Sequence, residues 1–240
     1  MKDAGLALNA YLAACGVASR RKSADLVRSG KVSVNGLSIV KPGYRVRPAM
    51  DRIEWDGMPV RPKRIHRYVL FNKPAGCLTT VSDERGRKTV MDLIDCRERL
   101  FPVGRLDLDT EGLLLLTDDG QLANRLLHPR YGAEKVYEVL VRGVVSGQAI
   151  KSLKRGVSIG EGMRGAGDAR IIGVRAGQTL LEIRIHEGKK RQIKRMMEAV
   201  GHPVMHLKRI RFAGLTLGNL KTGRWRDLRP EEIKRLQKPA

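Results

Sequence analysis

The sequence predicts an α+β protein that consists of a small N-terminal α+β module and a larger domain with a mainly antiparallel mixed sheet. Two observations support this fold class. Helical spacing of apolar residues and a hairpin signal lie near the N-terminus, and segments with strand-like alternation dominate the rest. The chain has 240 residues, of which 42% are hydrophobic, so it is long and apolar enough to fold as two domains.

The N-terminal part contains signals for two helices and a β-hairpin. An apolar stripe with helical spacing covers residues 8–15, and a glycine follows at the usual stop position. Ser19 is placed to cap a second short helix, which Gly30 closes. Apolar residues then alternate on both sides of Asn35-Gly36, a strong hairpin signal. We therefore predict one small α+β domain over residues 1–57.

A linker is predicted over residues 58–67, because Pro59 and Pro62 stand among basic residues in a composition unsuited to a helix or a central strand. Residues 68–240 are predicted to form the larger domain. Its strands are indicated at residues 68–71, 113–116, 137–141 and 181–185, and its clearest helix at residues 193–200. Because few helices intervene between these strands, we expect a mainly antiparallel sheet.

The charge balance indicates a polyanionic partner. Lys and Arg number 47 against 25 Asp and Glu, which leaves a net charge of +22. No apolar run is long enough for a membrane span, and no basic amphipathic helix with aromatic residues on its apolar face stands out, so we expect no membrane partner and a cytoplasmic protein. Aromatic residues are only 4% of the chain, which disfavours binding through many stacked bases and favours phosphate contacts.

Several enzyme classes lack their motifs in this sequence. No H-E-x-x-H pair, phosphate-binding P-loop or dinucleotide-binding glycine turn is present. The three cysteines, Cys15, Cys77 and Cys96, are widely spaced and form no C-x-x-C pair, which argues against a disulfide framework or a zinc cluster. We therefore expect no zinc cluster and no bound nucleotide or dinucleotide cofactor.

The most unusual segment is residues 104–112, where Asp107, Asp109 and Glu111 occupy every second position before a leucine-rich strand. Three interpretations stay open from the residues alone. The segment nearly matches a calcium loop, although its last position lacks the expected Glu. It can equally be an acidic surface turn. In the third, Asp107 is a reactive carboxylate beside leucines, held in its charged form by Arg105.

Cations crowd the predicted starts of two helices, where they oppose the helix dipole unless a phosphate binds there. A solvated basic face is the alternative for each. The cations that we assign to phosphates of RNA or DNA are Arg20, Arg21 and Lys22 at the first start, and Lys190, Lys194 and Arg195 at the second.

The motifs together resemble those of the RsuA/RluB-type ribosomal RNA pseudouridine synthases. The signature runs from Gly104-Arg105-Leu106-Asp107 through Thr110 and residues 112–117 to Asp119-Gly120. Residues 68–76, 135–139 and 187–193 resemble the other motifs of that family in the expected order. Residues 8–57 resemble an RNA-binding module first described in a small-subunit ribosomal protein, although Ala7 and Ala10 stand where that module often carries basic residues.

This resemblance implies an isomerisation without a cofactor, in which the bond from uracil to ribose C1′ is broken and C1′ is rejoined to C5. Asp107 would be the essential carboxylate. Arg105 and Lys189 would orient the nucleotide and keep Asp107 charged, and Tyr137 would stack on the flipped base. Ile193 would wall the pocket, and Arg191 and Gln192 would bind substrate.

We therefore expect a pseudouridine synthase that acts on large-subunit ribosomal RNA, free or in an assembling ribosomal subunit, as a monomer. A small-subunit RNA target stays open. Two alternatives come from other classes. One is a ribosome-assembly protein that binds RNA without catalysis, and the other is a metal nuclease that uses Asp107, Asp109 and Glu111.

Overall fold

The computed structural model describes residues 5–62, 65–96 and 98–238. The chain folds into two compact units. As far as they are described, the first contains Met1–His66 with Asp118–Gly120, and the second contains Arg67–Thr117 and Gln121–Ala240. The residues outside these ranges are 1–4 in the predicted small domain, 63–64 in the predicted linker, and 97 and 239–240 in the predicted large domain. The predicted boundaries at residues 57 and 67 stay predictions.

Two helices and six short strands form the part of the first unit that the structure describes. They are β1 (Leu6–Ala7), α1 (Leu8–Ala14), α2 (Arg20–Arg28), β2 (Val32–Val34), β3 (Leu37–Ser38), β4 (Arg45–Val46), β5 (Ile53–Trp55) and β6 (Met58–Pro59). Strands β1 and β4 form one antiparallel pair, and the other strands form a sheet in the order β3-β2-β5-β6.

Local signals account for this small fold. The Ser19 hydroxyl caps α2 by accepting a hydrogen bond from the Lys22 amide at 3.2 Å. Asn35 and Gly36 have φ values of 53° and 82°, which is the left-handed pair that a tight hairpin turn needs. Leu8 and Val27 are fully buried between the helices and the sheet. Both predicted helices and the hairpin are confirmed.

The end of the small sheet differs from the linker prediction. Met58–Pro59 forms an edge strand paired with Glu54 and Trp55, and the Tyr11 hydroxyl donates a hydrogen bond to the Val60 carbonyl at 2.8 Å. An edge strand tolerates proline because the backbone N–H groups on its outer side form no hydrogen bonds within the sheet, so the N–H that proline lacks is not needed there. The first residues of the predicted linker therefore pack with the small unit.

The second unit contains most of the chain. Its strands are β7 (Tyr68–Lys73), β8 (Phe101–Pro102), β9 (Glu111–Thr117), β10 (Lys135–Arg142), β11 (Val157–Ser158), β12 (Arg164–Gly165), β13 (Asp168–Arg175), β14 (Gln178–Ile185), β15 (Val204–Phe212), β16 (Leu215–Thr216) and β17 (Trp225–Asp227). Its helices are α3 (Gly120–Leu127), α4 (Gly147–Arg155), α5 (Gln192–Ala199) and α6 (Pro230–Gln237), with short 3-10 turns at Met91–Leu93 and Pro129–Tyr131.

A nine-stranded sheet organises this unit in the order β13-β14-β10-β15-β9-β7-β17, with β16 paired to β15 and β8 paired to β9. Only the β15–β9 pair is parallel among the described pairs of this sheet. The expectation of a mainly antiparallel sheet is thus confirmed.

Strand β9 is buried on both faces, which explains its run of four leucines. Leu114 and Leu116 pack with α5 on one side, whereas Leu113 and Leu115 pack with α3 and α6 on the other. A strand with only one buried face would alternate apolar and polar residues. Strand β9 therefore lies in the middle of the unit and places the preceding acidic segment at its entrance. None of the helices in the described ranges is long and apolar enough to cross a membrane.

Candidate active site

Residues 103–110 form a loop that connects β8 to β9 and carries Asp107. Backbone hydrogen bonds fix both ends of the loop. The Val103 amide donates to the Leu115 carbonyl at 2.7 Å, and the Thr110 amide donates to the Asp107 carbonyl at 3.1 Å. The Asp107 loop, as we name residues 103–110, is therefore an ordered turn.

A buried hydroxyl holds the residue before Asp107. Thr79 Oγ1 donates to the Leu106 carbonyl at 2.7 Å and accepts from the Leu106 amide at 3.2 Å. Both backbone polar groups of Leu106 are thereby satisfied by one side chain. This contact restrains the backbone that aims the Asp107 carboxylate.

A buried lysine holds the other side of the same loop. Lys73, at the end of β7, has no exposed surface, and its ammonium donates to the carbonyls of Pro74, Asp107 and Thr110 at 3.0, 3.1 and 2.9 Å. Burial lowers the pKa of Lys73, because the charged form loses its hydration. The three short hydrogen bonds offset part of that penalty and pin the Asp107 loop to β7.

The Asp107 loop lines a cavity of about 990 Å³ in the second unit. Strands β10 and β15, the turn after β14 and the start of α5 complete its walls. The predicted site residues on this wall are Arg105, Asp107, Tyr137, Lys189, Lys190, Arg191, Gln192 and Ile193. Residues from four separate chain segments thus meet in one concave site, as in ligand-binding pockets generally.

Tyr137 lies in the central strand β10, between Ile183 of β14 and Arg209 of β15. Its side chain is buried, and so is that of Ile193 in α5. Both pack in the apolar cluster on the α5 side of the sheet. The floor of the cavity is therefore apolar and fixed, although its rim is charged.

The turn that leads into α5 is held by its own side chains. The Glu187 carboxylate accepts from Lys189 Nζ at 2.8 Å and from Gln192 Nε2 at 2.7 Å. Gln192 Oε1 accepts from the Lys189 amide at 3.0 Å. The ammonium of Lys189 also donates to the Arg164 carbonyl. Its ion pair in the described residues is thus with Glu187, whereas the resemblance implied that Lys189 keeps Asp107 charged.

The three carboxylates of the acidic segment do not converge. Asp109 pairs with Lys194 at 2.5 Å, and Glu111 lies 3.5 Å from the imidazole of His206. Within the described ranges, no three His, Cys, Asp or Glu side chains are placed to hold a metal ion together. The calcium-loop and metal-nuclease interpretations therefore lack a ligand cluster in this part of the chain.

Comparison with known families accounts for both units. Residues 67–199 match the model of the family described as RNA pseudouridylate synthase, and residues 8–53 match that of the S4 domain. The chain belongs to the RNA pseudouridine synthase family. The resemblance found in its motifs is confirmed, and the chain is a pseudouridine synthase with an N-terminal S4 domain.

Individual relatives resemble this synthase along nearly its whole length. An uncharacterized RNA pseudouridine synthase of Aquifex aeolicus is 47% identical over 96% of this chain and 93% of its own. The ribosomal large subunit pseudouridine synthase B of Bacillus subtilis is 40% identical over 96% and 95%. A crystal structure of a pseudouridylate synthase, 26% identical, superposes with a TM-score of 0.69 over 97% of this chain and all of the other.

Two of the cations that we assigned to RNA phosphates engage protein groups in the synthase. The Lys194 side chain is only 13% exposed, and its ion pair with Asp109 lowers the pKa of that carboxyl. Arg195 donates to the Ile159 carbonyl at 3.2 Å and pairs with Glu161 at 3.1 Å. Neither lines the cavity, because the first turn of α5 directs both toward neighbouring loops. Lys190 is exposed at the rim, where a phosphate can reach it.

Sequence patterns alone do not reveal the roles of Lys73 and Thr79. Both precede the Asp107 loop by about thirty residues, so no local pattern connects them with it. One signal was available: Lys73 is a charged residue that extends a strand of apolar residues into Pro74. A lysine at such a position has to find buried acceptors, because an unpaired buried charge is costly.

We expect Lys73→Met in the synthase to slow the single-turnover rate by about 10- to 100-fold, because the loop that aims Asp107 loses its anchor. RNA affinity should change little, since Lys73 has no exposed surface. The rate is measured by tritium release from RNA labelled at uridine C5, well below each variant's unfolding temperature. Lys88→Met, which removes an exposed lysine from the same part of the chain, is the control. An unchanged rate in Lys73→Met would show that the loop keeps its geometry without this anchor.

Proposed function

We propose that the synthase isomerises a specific uridine of large-subunit ribosomal RNA and that Asp107 is its essential carboxylate. The role of Asp107 is supported by its position in a loop that hydrogen bonds from Lys73 and Thr79 hold in place. This loop lines the same cavity as Tyr137. The large-subunit target is supported by the Bacillus subtilis relative, whose name states that target and whose sequence matches along nearly the full length.

The reaction balances without a co-reactant. The bond between C1′ and N1 of uridine breaks, and a bond between C1′ and C5 forms. The proton on C5 is lost and N1 gains a proton, so the product is an isomer of the substrate. An ionised Asp107 can begin this sequence by attacking C1′ or by removing a proton from the sugar. Both routes require the negative charge of its carboxylate.

Tyr137 and Ile193 are proposed to hold the detached base while it turns. A base inside a duplex is hidden by stacking, so the target nucleotide has to be flipped out or already unpaired. The cavity is large enough for a whole nucleotide. The buried phenol ring of Tyr137 offers a stacking surface, and Ile193 closes the wall beside it. This apolar enclosure keeps water from the reacting sugar.

Cations around the rim are proposed to guide RNA into the site. Arg105, Lys190 and Arg191 are exposed and line the cavity. Arg191, at φ 54°, lies in the left-handed region at the start of α5. Such a backbone is strained for a residue other than glycine, and strain of this kind clusters at functional sites. We propose that Arg191 contacts the RNA backbone and Arg105 orients the nucleotide.

The partner, compartment and oligomeric state are proposed from the substrate and from the cavity. We propose that the protein meets ribosomal RNA, free or in an assembling subunit, in the cytoplasm. We also propose that it acts as a monomer, because all described residues that line the cavity come from one unit of one chain.

Mapping pseudouridine in ribosomal RNA of a strain that lacks this gene tests the proposal. At least one large-subunit uridine should remain unmodified. A plasmid that encodes the unchanged protein should restore that pseudouridine, and one that encodes Asp107→Asn should not. A loss confined to small-subunit RNA would refute the proposed target, and restoration by Asp107→Asn would refute the proposed role.

The S4 domain is expected to contribute phosphate contacts through Arg20, Arg21 and Lys22, which are exposed or partly exposed in α2. Changing all three to Gln should weaken RNA binding and lower the slope of log affinity against log salt by about 2 to 3, since each phosphate contact contributes about 0.7 to 0.9. Filter binding at several salt concentrations measures both quantities. A variant that changes Lys151, Lys154 and Arg155 of α4 to Gln removes the same charge elsewhere and should keep a steeper slope. Equal slopes in the two variants would argue against this RNA-binding surface.

A further inference from the structure

The inner end of the cavity contains two cations that the proposed reaction does not use. Lys135 of β10 and Arg209 of β15 both line the cavity and lie against the ring of Phe212. Lys135 Nζ is 5.8 Å from the ring centroid, and Arg209 Cζ is 4.8 Å from it. Two positive charges therefore share one aromatic surface on the cavity wall.

A β-bulge produces this arrangement. Lys135 pairs with Phe212 and Tyr137 pairs with Arg209, so that Ile210 is the extra residue in β15. Cross-strand partners share a face of the sheet, and Lys135 and Tyr137 are two residues apart in β10. All four side chains therefore face the cavity. Without the bulge, Arg211 would take the place of Phe212 opposite Lys135.

Arg209 is deeply buried and incompletely paired. Its side chain is 2% exposed, and its Nε donates to the Leu113 carbonyl at 2.8 Å. Its Nη2 is buried without a hydrogen-bond partner among the described residues. A buried guanidinium nitrogen without an acceptor is costly, and such groups are few in folded proteins.

Lys135 is half-buried, and its ammonium donates to the Ala133 carbonyl at 2.8 Å. Burial, followed by the like charge of Arg209, lowers the pKa of Lys135 to about 8, and the Glu187 carboxylate opposes that shift. Glu187 is itself paired with Lys189. No carboxylate of the described residues forms an ion pair with Lys135 or Arg209. The charge of the two cations is thus balanced only in part, by the nearby Glu187.

We infer that Lys135 and Arg209 form a phosphate-binding subsite for a phosphodiester next to the target uridine. This inference rests on the proposed function, in which a nucleotide enters the cavity with its base at Tyr137. Tyr137 and Arg209 are direct cross-strand neighbours, about 5 Å apart at their Cα atoms. A nucleotide whose base lies on Tyr137 can therefore place its phosphate toward Arg209 on the same cavity wall. The phosphate would supply a negative charge that both cations of the cavity wall share.

The subsite can be tested without the natural RNA, by titrating the full-length protein with uridine, uridine 5′-monophosphate, uridine 3′-monophosphate and inorganic phosphate. Binding is followed by calorimetry and by phosphorus NMR. We expect one monophosphate to bind at least about tenfold more tightly than uridine, because its phosphate adds two charge-assisted contacts. Whichever monophosphate is preferred identifies the side of the uridine on which the bound phosphate lies. Binding of inorganic phosphate as tight as that of the preferred monophosphate would overturn a nucleotide subsite.

Variants connect this preference with the two cations. Lys135→Met should reduce the ratio of monophosphate to uridine affinity by about threefold or more, and Lys135→Arg should keep it. Lys151→Met removes an exposed lysine of α4 and should leave the ratio unchanged. Should Lys135→Met fail to fold, Arg209→Lys provides a second test, because a lysine lacks the planar guanidinium that binds phosphate through several donors, and it should also lower the ratio.

Two results would overturn the inference. One is equal affinity of the unchanged protein for uridine and both monophosphates, including no measurable affinity for any. The other is a preference for the monophosphate that persists in both Lys135→Met and Arg209→Lys. Asp107→Asn separates this inference from the proposed function, because it should keep the monophosphate preference whether or not turnover is lost. An Asp107→Asn protein that stays active would refute the role of Asp107 and leave the subsite result intact.

Discussion

Asp107→Asn is expected to abolish tritium release from RNA labelled at uridine C5 while RNA binding stays nearly normal. Asparagine keeps the shape of the side chain but carries no negative charge, so neither attack on C1′ nor proton removal from the sugar can proceed. The loop itself should survive, because Lys73 and Thr79 hold backbone groups and do not contact the Asp107 carboxylate. Filter binding of the same RNA measures affinity in parallel.

Asp109→Asn and Glu111→Gln are the matched controls for this prediction. Both belong to the same acidic segment, but Asp109 pairs with Lys194 and Glu111 lies beside His206, and neither lines the cavity. Each should retain most of the turnover. Near-normal tritium release in Asp107→Asn, or complete loss in Asp109→Asn alone, would show that the essential carboxylate has been misassigned.

The small domain could be predicted from sequence because short-range signals determine its elements. The Ser19 cap, the glycine after each helix and the left-handed pair at Asn35-Gly36 act within a few residues of one another. Its continuation through Met58–Pro59 could not be predicted. That pairing depends on a free sheet edge at Ile53–Trp55, which residue composition does not reveal.

The candidate site could be predicted only in part. The motif residues that line the cavity can be identified by their type and spacing. The acidic segment and the basic start of α5 are examples. The groups that position or complement them come from distant strands. Lys73 reaches the Asp107 loop across more than thirty residues, and Arg209 meets Tyr137 only through the register of β10 and β15. Strand register is a long-range property, so single-sequence patterns leave it open.

Gly112→Ala is expected to cost more than about 4 kcal/mol of stability or to prevent folding of the second unit, because the clash falls on backbone atoms. Gly112 pairs with Arg209 where the parallel strands β9 and β15 meet. A Cβ atom at Gly112 would lie 2.2 Å from the Arg209 carbonyl oxygen and 2.7 Å from its nitrogen. Backbone in the centre of a sheet cannot move aside without breaking its ladder, and the φ of +105° adds strain for any other residue. Urea unfolding followed by fluorescence of Trp225, in a Trp55→Phe background, reports on this unit.

Gly177→Ala separates the clash from the backbone strain. Gly177 also has a positive φ, +69°, but a Cβ atom there would meet nothing within 4 Å. Its replacement should therefore cost about 1 to 3 kcal/mol, which is the penalty of the left-handed backbone alone. The excess cost at Gly112 measures how closely β9 approaches β15, and this approach places the Asp107 loop beside Arg209. Equal stability of the two variants would mean that β9 and β15 lie farther apart at Gly112 than their register requires.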